Sequence, residues 1–470
     1  MNPVRAAARW LSAALARRGV IDAERGDRIA ALAWPRVVTG VARMSQRVID
    51  FAMVGAVLGP SALAGMAFAL AYWQVGNTAS LGVSGGTISQ VSRRLGAEDS
   101  AAADRAIRQG LLVALAVGLP LVAVFWAVPA ELVGLLTGDG AAVGFGATYL
   151  RVAGVAVVFE FLTKVCSRAL LGADDAVTPM ILRATGAVLN VVLNAVFIFG
   201  LGLGVLGAAL GTLVATVAVT AAFLAGLLRG GLPVAGAFPV GLSLRRPFFD
   251  PDDARELVGV AAPLVARRLS VTVAAFPLLS IAATFGSGAV AAFEVARRVR
   301  GLANTPNWGF SVAASTLAGQ ELGAGDGDGA RAYGRDVLRF SLVVAALVAA
   351  GVLAFARPIA AAFVEPALLD RTTAFVRVAG VGVLGLSVDA AATGTLRGAG
   401  DTAWPFYAKA AGLYLVALPA AALGTVTPLG AGGLLVALLA ETLVPAAVTY
   451  RRLRSGAWVG VALGTAGPEE

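Results

Sequence analysis

Long apolar stretches separated by short polar turns organise the chain. They fall near 33–57, 62–90, 107–129, 142–167, 177–199, 203–228, 255–284, 288–318, 335–356, 371–395, 403–424 and 429–450. Each is long enough to cross the hydrocarbon core of a bilayer as a helix. The pattern therefore predicts an all-α polytopic membrane protein with twelve transmembrane helices. The longest break, 229–254, holds Pro233, Pro239, Pro247 and Pro251 and reads as a linker between two halves.

The polar turns repeat as well. Leu95, Gly96, Ala97, Asp99, Ala103 and Arg108 align without gaps to Leu322, Gly323, Ala324, Asp326, Ala330 and Arg335. Gly172, Ala173, Asp175 and Pro179 align in the same way to Gly398, Ala399, Asp401 and Pro405. The repeat is therefore six helices long. An even repeat keeps its orientation, so two six-helix lobes are expected about a pseudo-twofold axis along the membrane normal, with a cavity between them. The expected parts are a basic segment 1–30, an N-lobe 31–229, a linker 230–254, a C-lobe 255–452 and a tail 453–470.

Loop charge sets direction. The turns near 58–61, 130–141, 200–202, 285–287 and 425–428 hold no Arg or Lys, whereas those near 91–106, 229–254 and 319–334 carry arginine. Both ends of the chain are basic, and Arg357 is the single exception. Positive charge stays on the cytoplasmic side, so both termini, the linker and the tail are expected there and the chain in the cell membrane. Residues 1–28 lack the long uncharged core of a secretory signal. They read either as a surface helix with Trp10, Leu11 and Leu15 on one face or as a disordered basic tail.

Composition narrows the chemistry. The chain has 470 residues, is 58% hydrophobic and 14% charged, with one cysteine, Cys166, and no histidine. Histidine acid–base or metal chemistry and an intrachain disulfide are excluded. Lys164 and Lys409 are the lysines and neither follows a glycine, so no phosphate-binding P-loop is present. The net charge of +9 fits arginine in cytoplasmic loops better than a nucleic-acid partner. No nucleophile motif is present, which argues against an enzyme.

Polar residues inside the apolar runs are the candidates for function. Asp50 lies about two-thirds along the first span, and a carboxylate at membrane depth is a functional hypothesis by default. It reads as a proton or cation site, or as a structural partner of Arg47 one turn earlier. Asn190 and Asn194 are four apart and share one face of the fifth span; the twin positions in the second half are Val416 and Ala420. With Thr212 they would complete an oxygen-rich pocket suited to a proton or Na⁺, not to a tightly held divalent metal. The competing readings are helix–helix hydrogen bonding for the asparagines and back-bonding for Thr212. Pro35, with Pro263 as its possible twin, marks a gate or a fixed bend. Arg43, Arg47, Tyr149 and Asp389 join Pro35 as candidates for the substrate cleft or gating. Glu294 is expected to pair with Arg297 or Arg298, and Glu160 has no evident partner in the pocket.

Together these motifs resemble the multidrug and toxic compound extrusion (MATE) family over roughly residues 30–452. The marks are Val48-Ile49-Asp50 to Gly55, Leu95-Gly96-Ala97, the Gly172–Pro179 hairpin, and Leu189 to Asn194 followed by Ile198-Phe199-Gly200. Gly207-Ala208-Ala209 before Thr212, and Leu396-Arg397-Gly398 with Asp401-Thr402, complete them. The resemblance implies export of small amphipathic, often cationic compounds by H⁺ or Na⁺ antiport, with two lobes around a cleft that opens to alternate sides. It implies no cofactor beyond the coupling ion, and a monomer in the bilayer. It maps an N-lobe coupling site onto Asp50, Asn190, Asn194 and Thr212. Many relatives carry aspartate at the position of Asn194, so one carboxylate remains here. The C-lobe acidic site of some bacterial members has no clear match, because Asp389 is about one turn displaced. Arg43 and Arg47 are unexpected beside a cation site and suit an anionic or zwitterionic substrate. They keep open a second reading, a lipid-linked precursor flippase of the same superfamily.

Overall fold

The computed structural model describes residues 3–233, 235–243 and 248–464, without the side chains of 41–45, 47–52, 55–60, 276 and 287. It is helical nearly throughout. The main helices are Pro3–Arg17, Ala23–Gly96, Ser100–Ala127, Gly140–Gly172, Val177–Ala195, Gly204–Arg229, Pro251–Thr284, Ser287–Ala303, Thr305–Gly323, Gly327–Ala354, Leu369–Gly398, Ala403–Ala410, Leu418–Val426 and Gly432–Ser455. Among the described residues, nine helical stretches are long and apolar enough by length and composition to cross a membrane. They correspond to the predicted spans other than the first two and the eighth.

Those three differ for local reasons. The first two spans lie in the single helical element Ala23–Gly96. The turn expected at 58–61 falls largely on residues without described side chains, and the helix assignment runs through it. The eighth span is broken at Asn304. Pro306 has no amide hydrogen and its ring crowds the preceding turn, so a new helix starts there with proline in its first turn. The Asn307 side-chain amide donates to Asn304 Oδ1 at 3.1 Å and closes the joint. In the eleventh span a π-helical segment, Ala411–Ala417, connects Ala403–Ala410 to Leu418–Val426. Pro419, just beyond it, cannot continue the regular ladder.

The sequence repeat is visible in the backbone. Asp99 caps its helix by accepting from Ala102 N at 2.7 Å, and its twin Asp326 accepts from Gly329 N at 2.8 Å. The residue before each cap is left-handed, Glu98 at φ 58° and Gly325 at φ 80°. At the second hairpin the left-handed positions are Asp174 at φ 66° and Gly400 at φ 83°, again equivalent in the repeat. Glycine takes this conformation without cost, whereas Glu98 and Asp174 hold it under mild strain. The hairpin aspartates have diverged. Asp175 Oδ1 accepts from Val177 N and Thr178 N, while Asp401 pairs with Arg452 at 2.8 Å.

The chain forms two compact units. One comprises Val38–Leu95 and Asp99–Ala261. Its core gathers Val54, Met66, Tyr149, Leu150, Phe161, Ile198 and Val205. Part of the proline-rich break folds onto this unit. Gly231–Leu232 and Gly236–Ala237 pair as a small antiparallel ladder, and Phe238, Val240 and Leu242 are buried with Phe223 and Leu227.

The other unit comprises Met1–Val37, Gly96–Glu98 and Ala262–Glu470. Its core gathers Phe293, Phe375, Leu434 and Leu438. The basic N-terminal stretch is a helix, Pro3–Arg17, followed by an anchor. Asp336 accepts from Asp22 N and pairs with Arg25 at 2.6 Å, and Arg28 donates to Gln320 at 2.8 Å. Leu15 is buried and Leu11 half-buried, but Trp10 is 67% exposed. Trp10 lies on the opposite face because residues one and five apart on a helix do not all align.

Candidate functional site

The polar positions of the first, fifth and sixth spans meet inside the unit built on Val38–Leu95 and Asp99–Ala261. Asn190 is 2% exposed and Asn194 1%. Gln46 Nε2 donates to Asn190 Oδ1 at 2.8 Å, and Asn194 Nδ2 donates to the same oxygen at 3.3 Å. Asn190 Nδ2 in turn donates to Thr212 Oγ1 at 3.3 Å. Thr212 back-bonds to Ala208 O at 2.9 Å, so both roles considered for it hold at once. Burying carboxamides is costly without partners, and this chain of donors and acceptors provides them for both ends of the Asn190 amide and for the Asn194 amide nitrogen.

Gly211 makes the arrangement possible. A Cβ there would lie 1.9 Å from Asn194 Oδ1, well inside contact distance. The Gly204–Arg229 helix therefore approaches the asparagine face closely only because position 211 has no side chain.

A cavity of about 130 Å³ opens beside this network. Its wall includes Gln46, Asn190 and Thr212, as well as Tyr149, Trp73, Glu160 and Arg183. Tyr149 was a sequence candidate and lines the space. Glu160 was not, and the structure brings it into the same cavity. Arg183, Gly186, Ala187 and Asn190 follow one another along one helix face, so Arg183 sits two turns from Asn190. Glu160 Oε1 lies 3.4 Å from Lys164 Nζ and 3.6 Å from Arg183 Nη1. Lys164 also donates to Asn77 Oδ1 and, at 2.6 Å, to Ser80 Oγ. All three charged side chains are nearly buried, at 11% for Glu160, 4% for Lys164 and 7% for Arg183. Sequence reading missed Gln46, although it lies one turn before Asp50. It also missed Arg183, although that lies on the asparagine face.

The side chains of Asp50, Arg43 and Arg47 lie outside the described residues; their backbone belongs to Ala23–Gly96. Pro35 is buried in that helix, in the portion belonging to the other unit, and the helix runs on through it. Among the described residues no group of three or more Cys, Asp or Glu side chains forms a metal site.

The second unit answers with ion pairs rather than a carboxamide chain. Arg267 pairs with Asp389, and Thr393 Oγ1 donates to Asp389 Oδ1 at 3.2 Å. Arg300 pairs with Glu441, whose carbonyl oxygen accepts from Lys409 Nζ. Asp389 and Glu441 are each 4% exposed. Glu294 pairs with Arg297 at 3.8 Å, as its spacing predicts. Val416, the twin of Asn190, is 36% exposed and apolar.

The MatE family model matches residues 35–196 and 263–423, one segment in each half of the repeat. The chain belongs to the MatE family. Members of this family are transporters, not enzymes. The probable multidrug resistance protein NorM of Thermotoga maritima is 24% identical over 303 residues, 63% of this chain. That match spans 64% of the length of the NorM protein, just under two thirds. A crystal structure of MATE in the bent conformation has a TM-score of 0.85 at 23% identity and covers 94% of this chain and 97% of its own. A MOP superfamily transporter from Pyrococcus furiosus, described as having a binding pocket of reversed polarity that suggests a different function, has a TM-score of 0.83. It is 23% identical and covers 93% of this chain and 96% of its own. The fold is thus that of the MATE transporters, a multi-pass membrane protein of twelve helices in two lobes.

Proposed function

We propose that the protein is a secondary active transporter that exports small organic compounds across the cell membrane by antiport with H⁺ or Na⁺. The observation that carries this reading is the cavity lined by the hydrogen-bonded amides and hydroxyl of Gln46, Asn190 and Thr212 beside Glu160 and Tyr149. Polar groups at such depth in an apolar protein need a reason, and a path for an ion or substrate supplies one. Family membership and the NorM similarity support transport of drug-like molecules. In this reading 31–229 and 255–452 are the two lobes, 230–254 joins them, and both termini, including 1–30 and 453–470, are cytoplasmic.

Coupling is assigned to Asp50 with Asn190, Asn194 and Thr212. Antiport requires a group whose occupancy differs between the two access states, and Asp50 is the acidic residue of the first span. Pro35, Arg43, Arg47 and Tyr149 are assigned to the cleft and its gating. Asp389, already paired with Arg267, is assigned to holding the second lobe together.

Purified protein in proteoliposomes, given a pH or Na⁺ gradient and a small drug panel, tests the reading. Asp50→Asn is expected to abolish gradient-driven transport while leaving the protein folded and able to bind substrate. If Asp50 instead only neutralises Arg47, the single variant loses about 3–5 kcal/mol of stability through the uncompensated charge. Adding Arg47→Gln would then restore folding and transport. A rescued, active double variant removes Asp50 from the coupling site.

A further inference from the structure

The first helix, Pro3–Arg17, is fixed on one side and open on the other. Gly19, left-handed at φ 66°, turns the chain back so that this helix folds against the start of Ala23–Gly96. A Cβ at Gly26 would lie 2.7 Å from Ser12 Oγ, so the second helix has room for the first only because position 26 is glycine. Ser12 Oγ donates to Asp27 Oδ1 at 3.1 Å, and Leu15 and Ile21 are buried. Asp336 then holds Arg25 and the Asp22 amide. This helical hairpin therefore has one orientation on its unit. The side of the first helix turned away from Ser12 and Leu15 is exposed.

That side is basic and carries one large ring. Arg5, Arg9, Ala13 and Arg17 follow one another four residues apart, in one ridge that winds across it. Trp10 stands beside the ridge, 67% exposed, with the small side chains of Ala6 and Ala14 one turn away. Arg18 adds a fourth exposed guanidinium just past the helix end. Residues 1–21 contain no acidic residue, and none of these four arginines forms an ion pair among the described residues. Neighbouring arginines behave differently: Arg25 and Arg339 both reach Asp336, and Arg331 reaches Asp328. Like charges one turn apart on a helix repel, so Arg5 and Arg9 gain from a negative surface opposite them.

Guanidinium groups bind phosphate oxygens through their planar fork, and tryptophan rings settle at the level of lipid headgroups. The chain is a multi-pass membrane protein, and Ala23–Gly96 runs from the hairpin directly into the first predicted span. A phospholipid surface is therefore always close to the hairpin, whereas an acidic protein would have to be recruited. We propose that the N-terminal hairpin docks its arginine ridge and Trp10 on anionic phospholipid headgroups of the membrane that the protein spans. The arginines take the phosphates and Trp10 enters the headgroup layer, while Ser12 and Leu15 keep the helix on its own unit. This role does not depend on what is transported or on which ion drives transport.

Full-length protein with Ala13→Cys, labelled there with a nitrobenzoxadiazole dye, reports on the ridge. Cys166 is buried, and wild-type protein taken through the same labelling gives its background. The labelled protein is placed in nanodiscs of phosphatidylcholine alone, or of equal parts phosphatidylcholine and phosphatidylglycerol. The anionic discs should lower acrylamide quenching of the dye by about threefold at low salt, and high salt should remove most of that protection. Arg5→Gln, Arg9→Gln and Arg17→Gln together should bring quenching in anionic discs to within about 1.3-fold of that in neutral discs. These side chains are exposed, so the variant is expected to fold. Equal quenching of the parent protein in neutral and anionic discs overturns the proposal, whether the ridge then faces water or waits for an acidic protein. Protection that survives high salt or the triple variant also overturns it, since protein or the apolar layer alone would then shield the dye.

Discussion

The two halves of the repeat share a backbone and differ in what they bury. Each opens its third helix with the same aspartate cap, Asp99 in one and Asp326 in the other, after a left-handed residue. Inside, the first half places neutral carboxamides and a hydroxyl around a cavity, with a single glutamate between two cations. The second half closes its charges directly, Arg267 on Asp389 and Arg300 on Glu441, with Lys409 on the Glu441 carbonyl. The Asp389 carboxylate, held by Arg267 and Thr393, has little left to offer a mobile ion. A carboxamide chain beside an open space keeps oxygens and donors within reach of one. Duplication therefore fixed the scaffold, and divergence of a few buried residues gave the two halves different interiors.

The largest effect expected from breaking this contrast is on stability, in the second lobe. Glu441→Gln leaves Arg300 without its carboxylate at a site where the glutamate side chain is 5% exposed and the arginine 12%. Removing one partner of a buried pair costs about 3–5 kcal/mol. Thermal unfolding in detergent should show a large downward shift, with little change in substrate affinity of the surviving folded protein. The next effect is in the first lobe. Gly211→Ala places a methyl where Asn194 Oδ1 now lies and should cost about 1–3 kcal/mol through overpacking. Here transport should fall along with stability, because the asparagine chain must shift. The smallest effect tests likeness rather than difference. Asp99→Ala and Asp326→Ala each remove one N-cap and should each cost about 1 kcal/mol. A several-fold disparity between them would show that the twin turns are no longer equivalent.

Much of this contrast was legible in the sequence. Asn190 and Asn194 stand out because a carboxamide is conspicuous in an apolar run, and Val416 and Ala420 announce its loss in the second copy. The helix count followed from run length, and the break at Asn304 was readable in principle from Thr305-Pro306. What the sequence withheld was pairing between distant helices. Glu160 and Arg183 are 23 positions apart on separate spans, and nothing local says that they face one cavity. Asp389 finds Arg267, 122 positions earlier, rather than the nearer Arg397. Arg397 is instead turned to Ser311 O at 2.8 Å. Short-range spacing correctly paired Glu294 with Arg297 because that contact lies within one helix turn. The proline-rich break illustrates another limit. Proline and glycine mark where regular helix stops, but the burial of Phe238 beside Gly226 depends on a surface that only the folded unit presents.

The central claim is that coupling resides in the first lobe alone. The most direct test is gradient-driven transport in proteoliposomes by variants at matched positions of the two lobes. Asn190→Ala combined with Asn194→Ala should reduce transport to the level of protein-free liposomes. Val416→Ala combined with Ala420→Ser should remain within about twofold of the wild-type rate, a difference under 0.5 kcal/mol. Equal losses in the two lobes, or a larger loss in the second, would contradict the account.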